Sequence, residues 1–195
     1  MDLQKEKAYF LNTYKKGKPI RNSINAAVIG PRGRGLEFYS SDSKKELREE
    51  FKSFLGEELI KLEPLFNKAF SEDFFLEKVL SLRDVVNSQF RKTNLFNLDR
   101  MFSIGNSQKL LSLFLKYQWC TNQLPEPMVC PLDRVMLKAS KAPIKYQNWM
   151  SINTFEDYKV RYNYLKEAAQ QQGLSPAQYE LLEFNNYKRK NAKNK

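Results

Sequence analysis

The sequence predicts a mostly α-helical protein built as one compact multi-helix domain. Apolar side chains recur at intervals of three and four residues through most of the chain, which is the spacing of one helix face. Several of these segments follow a Ser or Thr that has an acidic residue or glutamine three positions later, as helix starts do. A length of 195 residues suits one domain or two very small ones, and 42% hydrophobic residues suffice for a core. We expect a single domain over residues 1–185.

The first 40 residues are the least regular part of the chain. Residues 1–14 carry loosely spaced apolar side chains, which predict a short helix. Residues 15–35 are basic and contain several glycines and prolines, so we expect an irregular basic lobe, with a short β-pair around 24–29 and 36–40 as the alternative. The run GPRGRG lacks the GxxxxGK[ST] pattern of nucleotide-binding loops, and we interpret it first as a loop and second as a phosphate contact.

Six to eight helices are expected, and their signals are clearest from Ser43 onward. Ser43 and Glu46 have the spacing of a capping box, and Pro64 is expected to end or bend the helix that follows. A serine cap with proline in the first turn marks a later start at Ser175. Basic residues crowd the end of the chain and predict a disordered tail over 186–195. From Ser43 onward the segments expected to be helical are 43–64, 72–90, 106 or 107 to 118, 133–138, 154–173 and 175–185.

The charge balance favours a polyanionic partner. The formal net charge is +11 and the isoelectric point is near 9.5, values that suit a protein binding DNA, RNA or an anionic membrane surface. The alternative is a basic tail together with a solvated surface. The tail does not supply the whole excess, because further basic side chains lie near the N-terminus. These are Lys15, Lys16, Lys18, Arg21, Arg32 and Arg34.

The absence of histidine excludes many enzyme classes. The chain has no histidine and only two cysteines, Cys120 and Cys130, so it holds no Ser-His-Asp or Cys-His pair and no His-ligated zinc. Two cysteines are also too few for a four-cysteine zinc or iron–sulfur site. Any catalysis must therefore use Lys, Asp, Glu, Tyr, Arg or a carboxylate-bound metal, and we expect no cofactor and no metal.

The N-terminal sequence MDLQKEKAYF is charged throughout, unlike a secretory signal peptide. No apolar run approaches the length of a membrane span. We therefore expect a cytoplasmic monomer with reduced thiols and no membrane partner.

Residues 101–137 combine the most apolar helix candidate with two charged side chains. Lys109 opens the segment LLSLFLKYQW, which is apolar nearly all round and should be buried. The helix dipole and partial desolvation would both favour the neutral, nucleophilic amine. Asp133 follows a Cys-Pro-Leu turn at an expected helix cap, where backbone N–H groups would keep its carboxylate ionised. The two residues are either an amine nucleophile with its carboxylate partner or two ordinary helix ends.

The order and sequence of these motifs resemble the helix-hairpin-helix DNA glycosylases. Gln108-Lys109 is similar to the lysine motif of the archaeal 8-oxoguanine glycosylase branch, and the run from Cys130 to Val135 is similar to the aspartate motif. In that family the lysine attacks the sugar of a damaged nucleotide and the aspartate assists. One departure is that the Leu-Pro-Gly-x-Gly turn before the lysine, which grips a DNA phosphate in the family, is replaced by Ser103–Ser107 with the single Gly105.

The resemblance, which covers about residues 101–137, implies a base-excision DNA glycosylase acting on damaged double-stranded DNA. Lys109 would expel a flipped-out damaged purine and form an imine with the sugar, Asp133 would assist, and β-elimination could then nick the strand. Candidates for the base pocket are Gln108, Phe114, Tyr117, Trp119 and Trp149, the aromatic members having core packing as the alternative. Candidates for contacts to the DNA backbone are Lys116, Arg134, Arg32, Arg34, Lys16 and Lys18.

Two other functions compete with this interpretation. One is a non-catalytic helical nucleic-acid-binding or regulatory protein, in which residues 15–35 and the basic tail bind phosphates. The other is a helical interaction protein whose charge is only a surface property. In both, Lys109 and Asp133 are structural.

Overall fold

Eight α-helices and no β-strand make up the part of the chain that the structure, a computed structural model, describes: residues 2–13, 18–28, 39–96 and 101–193. The expected mostly α-helical fold is confirmed. A single backbone bridge joins Tyr39 to Phe96. Short 3-10 turns occupy Glu63–Phe66, Ile144–Tyr146 and Trp149–Ser151. The helices are α1 (Leu3–Thr13), α2 (Pro19–Val28), α3 (Lys45–Leu62), α4 (Glu72–Phe90), α5 (Ile104–Cys120), α6 (Arg134–Ala139), α7 (Phe155–Gln171) and α8 (Pro176–Lys193).

Helix α5 lies at the centre of the molecule, and all of its 17 residues are buried. A helix that is apolar on every side needs neighbours on every side, and α1, α2, α4 and the Trp149–Ser151 turn pack against it. Its start is defined by a capping box in which Ser103 accepts from the N–H of Asn106 and the Asn106 side chain accepts from the N–H of Ser103. The sequence placed this start two or three residues too late, near Asn106 or Ser107.

Helix α2 is a correction to the expected irregular lobe and to the alternative β-pair. Residues 19–28 are helical and pack against α5 and α3. Pro19 stands at the first helical position, where its missing N–H costs nothing. Ile20, Ile24 and Ala27 then form one face at helical spacing, and Ile24 and Ala27 are buried. The rest of the expected lobe, residues 14–17 and 29–38, lies outside the described residues.

Helix α8 is a correction to the expected disordered tail, because it continues to Lys193. Its far end is tied to the first helix of the chain. The Arg189 guanidinium pairs with the Glu6 carboxylate at 2.8 Å, and the Asn185 amide donates to the Glu6 carbonyl at 2.9 Å. One charged and one amide side chain of α8 therefore anchor this helix to α1.

A buried ion pair links α5 to α8. The ammonium of Lys116 lies 2.6 Å from Oε2 of Glu180, and each side chain is 3% exposed. The rings of Phe10 and Phe184 lie 4.1 Å and 4.5 Å from the same ammonium. Burial raises the pKa of Glu180, and the Lys116 cation opposes that rise.

In the described residues no helix combines the length and the apolar character that crossing a bilayer requires.

Replacing one member of this pair should destabilise the fold more than replacing both. In Glu180→Leu the Lys116 cation is left buried without its carboxylate, and we expect a loss of about 3–5 kcal/mol in the free energy of unfolding. The double variant Lys116→Met/Glu180→Leu should recover most of that loss. Urea denaturation gives the free energy of unfolding of the natural sequence, the single variant and the double variant. A double variant as unstable as the single one would contradict the expectation.

Candidate active site

Lys109 and Asp133 lie side by side, although Lys109 is in α5 and Asp133 precedes α6. Lys109 Nζ is 3.6 Å from Asp133 Oδ2, and the two side chains are 11% and 17% exposed. The fold therefore brings together the amine and the carboxylate that the sequence singled out. Each is partly accessible from solvent, in contrast to Lys116 and Glu180.

The carboxylate of Asp133 has a different role at each oxygen. Its Oδ1 accepts from the backbone N–H groups of Val135 and Met136, at 2.9 Å and 3.2 Å, and so caps α6. This is the cap that the sequence predicted. With Oδ1 held by the helix start, Oδ2 is the oxygen that faces Lys109. The capping bonds stabilise the ionised carboxylate and fix its direction.

The ammonium of Lys109 lies between the carboxylate and an aromatic ring. The ring centroid of Trp149 is 4.4 Å from Nζ. A carboxylate and the face of an indole both attract a cation, so they oppose the helix dipole and the burial that the sequence suggested would favour the free amine. A nucleophilic role therefore requires this amine to release a proton during the reaction.

Gln108 holds the two catalytic candidates in register. Its Nε2 donates to the carbonyl of Leu132 at 2.8 Å, and the N–H of Leu132 donates to its Oε1 at 3.2 Å. Gln108 directly precedes Lys109, and Leu132 directly precedes Asp133. These two hydrogen bonds therefore connect the two segments one residue before each candidate catalytic residue. Nε2 also donates to the carbonyl of Gly105. Gln108 is fully buried, and its amide is engaged by the backbone instead of lining the predicted base pocket.

Gly105 allows the turn that carries Trp149 to reach the start of α5. A Cβ at position 105 would lie 2.2 Å from the Trp149 carbonyl oxygen, so only glycine fits. The N–H of Gly105 donates to the carbonyl of Ile152 at 3.1 Å. The resemblance to the glycosylases would place the phosphate-gripping turn at this glycine, but the Gly105 N–H is already occupied within the protein.

The remaining predicted site residues fall into three groups. Phe114, Tyr117 and Trp119 are packed in the core, which is the alternative that the sequence left open. The ammonium of Lys116 is buried against Glu180 and does not reach a surface where it could meet DNA. Arg134 and Lys18 are exposed, and Trp149 stays at the site. The other predicted DNA contacts, Lys16, Arg32 and Arg34, lie outside the described residues.

The cysteines are not part of this site. Cys120 and Cys130 are buried free thiols, and burial raises the pKa of Cys120 to about 12. Burial also raises the pKa of Cys130 well above its usual value. A thiol that stays protonated is a poor nucleophile and a poor metal ligand. Within the described ranges, no three Cys, Asp or Glu side chains gather as a metal-binding group.

Gly105→Ala should disturb both the stability of the fold and the position of Trp149. The added methyl group meets a backbone oxygen, so the 149–152 turn has to move, at a cost of about 1–3 kcal/mol. Urea denaturation measures the loss, and the tryptophan emission of the folded protein reports the displacement. Gly56→Ala is the matched control. Gly56 lies within α3, and a Cβ there would lie 3.5 Å from the Ile20 side chain of α2, an ordinary van der Waals contact. That variant should gain about 0.5–1 kcal/mol, and equal effects of the two would contradict this account.

Gln108→Leu should destabilise the protein although it introduces an apolar side chain into a buried position. The N–H and the carbonyl of Leu132 would lose their partners, at about 1–3 kcal/mol for each buried group left unsatisfied. Gln118→Leu on the same helix is the control, since the Gln118 amide bonds only the partly exposed Glu63 side chain. Thermal unfolding of the two variants compares them, and a smaller loss for Gln108→Leu would contradict a stapling role.

No model of a known protein family, no curated protein and no solved structure matches this chain. The chemistry open to the site depends on the groups that the site itself contains. These are an amine and a carboxylate in contact, both partly accessible, with an indole ring beside the amine.

Proposed function

We propose that this protein is a DNA glycosylase that removes a damaged purine through a Schiff base on Lys109 and can nick the strand at the abasic sugar. The observation that carries the proposal is the 3.6 Å approach of Lys109 Nζ to Asp133 Oδ2, with both side chains partly exposed. The net charge of +11 supports a polyanionic substrate. Chemistry by an amine and a carboxylate also suits a chain without histidine.

The first step breaks the glycosidic bond of a nucleotide that has left the base stack. Positive charge develops at C1′ as the bond lengthens, and the ionised Asp133 stabilises it electrostatically. The bonding electron pair leaves with the base nitrogen, which takes a proton from the Lys109 ammonium. The amine that results attacks C1′ and forms the C1′–N bond. The ion pair therefore stores the nucleophile as a cation and releases it when the base departs.

The second step follows from the covalent intermediate. The nitrogen now bonded to C1′ gives up a proton and O4′ gains one as the C1′–O4′ electron pair moves to O4′. The sugar ring opens, and the nitrogen lone pair forms an iminium between C1′ and Lys109. Loss of a proton from C2′ then expels the 3′ phosphate and cuts the strand. Asp133 is the carboxylate placed to accept such a proton, because its Oδ2 lies beside the amine.

A non-catalytic nucleic-acid-binding protein is the second candidate. One observation favours it: Lys109 already has a carboxylate and an aromatic ring as partners, as a purely structural lysine would. In that case DNA binding would depend on salt, but no covalent intermediate would form.

Borohydride trapping separates the two candidates. Incubation with duplex DNA that contains 8-oxoguanine or an abasic site, followed by borohydride, should give a covalent protein–DNA complex. Lys109→Gln should abolish the complex because no amine remains at the site. Asp133→Asn preserves a capping side chain and should slow single-turnover trapping by about 100-fold or more.

Lys92→Gln is the control for loss of a lysine, since Lys92 is exposed and belongs to another part of the fold. This variant should trap DNA as the natural sequence does. DNA binding that falls with salt but never yields a complex on either substrate would favour the non-catalytic candidate.

A further inference from the structure

The segment 138–148, which joins α6 to the Trp149–Ser151 turn, has an unusual surface. Lys138, Lys141 and Lys145 are exposed along it. Ile144 is 87% exposed, more than any other large apolar side chain among the described residues. From Arg134 to Phe155 the sequence contains basic residues and no acidic one. The surface is therefore positive, with a single apolar side chain projecting from it.

Ile144 projects from an ordered turn. The Tyr146 N–H donates to the Pro143 carbonyl at 2.8 Å, and the Gln147 N–H donates to the Ile144 carbonyl at 3.1 Å. From below, the buried Arg161 donates through Nε to the Tyr146 carbonyl at 2.9 Å. Ile144 is thus held out into solvent by a fixed backbone, where an apolar side chain gains nothing for the fold itself.

Lys141 is a second feature that the fold does not require. It follows the end of α6 with a φ of 57°, in the left-handed region where helices usually place glycine. A lysine there is less favourable than glycine. The charge of that side chain adds to those of Lys138 and Lys145 on the same segment.

The segment is close to the Lys109–Asp133 pair. It begins five residues after Asp133 and ends next to Trp149, whose ring lies 4.4 Å from Lys109 Nζ. Five residues of chain span no more than about 18 Å, which bounds the distance from Ile144 to Trp149. That reach is within the width of a duplex lying across both.

We propose that residues 138–148 dock duplex DNA, with Lys138, Lys141 and Lys145 on phosphates and Ile144 inserted between bases. An apolar wedge held by cationic contacts unstacks a base step in this way. The placement of the wedge beside a flipped nucleotide rests on the proposed function, whereas the docking itself does not. A protein partner would need a wider apolar area than one isoleucine.

The salt dependence of binding tests the lysines. In K138Q/K141Q/K145Q the slope of log K against log salt for duplex DNA should fall by up to about 2.7, because each phosphate contact contributes about 0.9. The matched control K5Q/K68Q/K92Q removes the same charge from three exposed lysines elsewhere. Equal slopes for the two variants would overturn the docking surface. The docking surface would also be overturned if K138Q/K141Q/K145Q lost binding to phosphatidylserine vesicles and bound DNA as the natural sequence does.

Base unstacking tests Ile144. A duplex with 2-aminopurine opposite a tetrahydrofuran abasic analogue should brighten on binding, and Ile144→Ala should reduce the increase about tenfold at saturating protein. Ile60→Ala is the matched control, since Ile60 is 55% exposed on α3. An unchanged increase in Ile144→Ala would overturn the wedge. This fluorescence readout needs no catalysis. If Ile144→Ala loses the increase and Ile60→Ala keeps it, the wedge is supported even when borohydride traps no complex. In that case the proposed function fails and the wedge stands.

Discussion

The burial of helix α5 on every side is the constraint on which the rest of the structure depends. An apolar helix of this kind is stable only when other elements enclose it, and α1, α2, α4 and the Trp149 turn do so. The same helix carries two lysines, whose charges cannot be buried alone without a large penalty. Each lysine therefore has a carboxylate partner supplied by a later part of the chain. The packing around α5 and the pairing of its charges are solved together.

The two pairs have the same chemistry but different surroundings. Lys116 and Glu180 are sealed between aromatic rings, so their ion pair only joins α5 to α8. Lys109 and Asp133 are looser, at 3.6 Å, and remain partly open to solvent. The side chains of the second pair are 11% and 17% exposed, against 3% for each side chain of the first pair. This difference in access, more than the identity of the residues, is what makes Lys109 the candidate nucleophile.

The chain that follows Asp133 returns to the start of α5, close to Lys109. It leaves through α6, forms the basic turn around Ile144 and comes back to Gly105 through Trp149 and Ile152. Gln108 of α5 also joins the two parts of the chain, through its hydrogen bonds to the backbone of Leu132. One continuous segment thus positions the carboxylate, supplies the ring over the amine and presents the positive surface. A change in this segment would affect all three.

Local signals in the sequence predicted most of the helices and several of their caps, but not the start of α3, where Lys44 takes the cap position that was expected for Ser43 and no side chain caps the helix. The apolar spacing of α4 and α5 and the cap at Asp133 depend on residues within a few positions of each other, and these were predictable. The motif resemblance paired Lys109 with Asp133, whereas the periodicity said nothing of their contact. Only the tertiary structure decided that α2 is a helix packed on α5 and that Lys116 belongs to Glu180. It also decided that Arg189 reaches Glu6 across 183 positions. These outcomes depend on partners distant in sequence, which no local pattern contains.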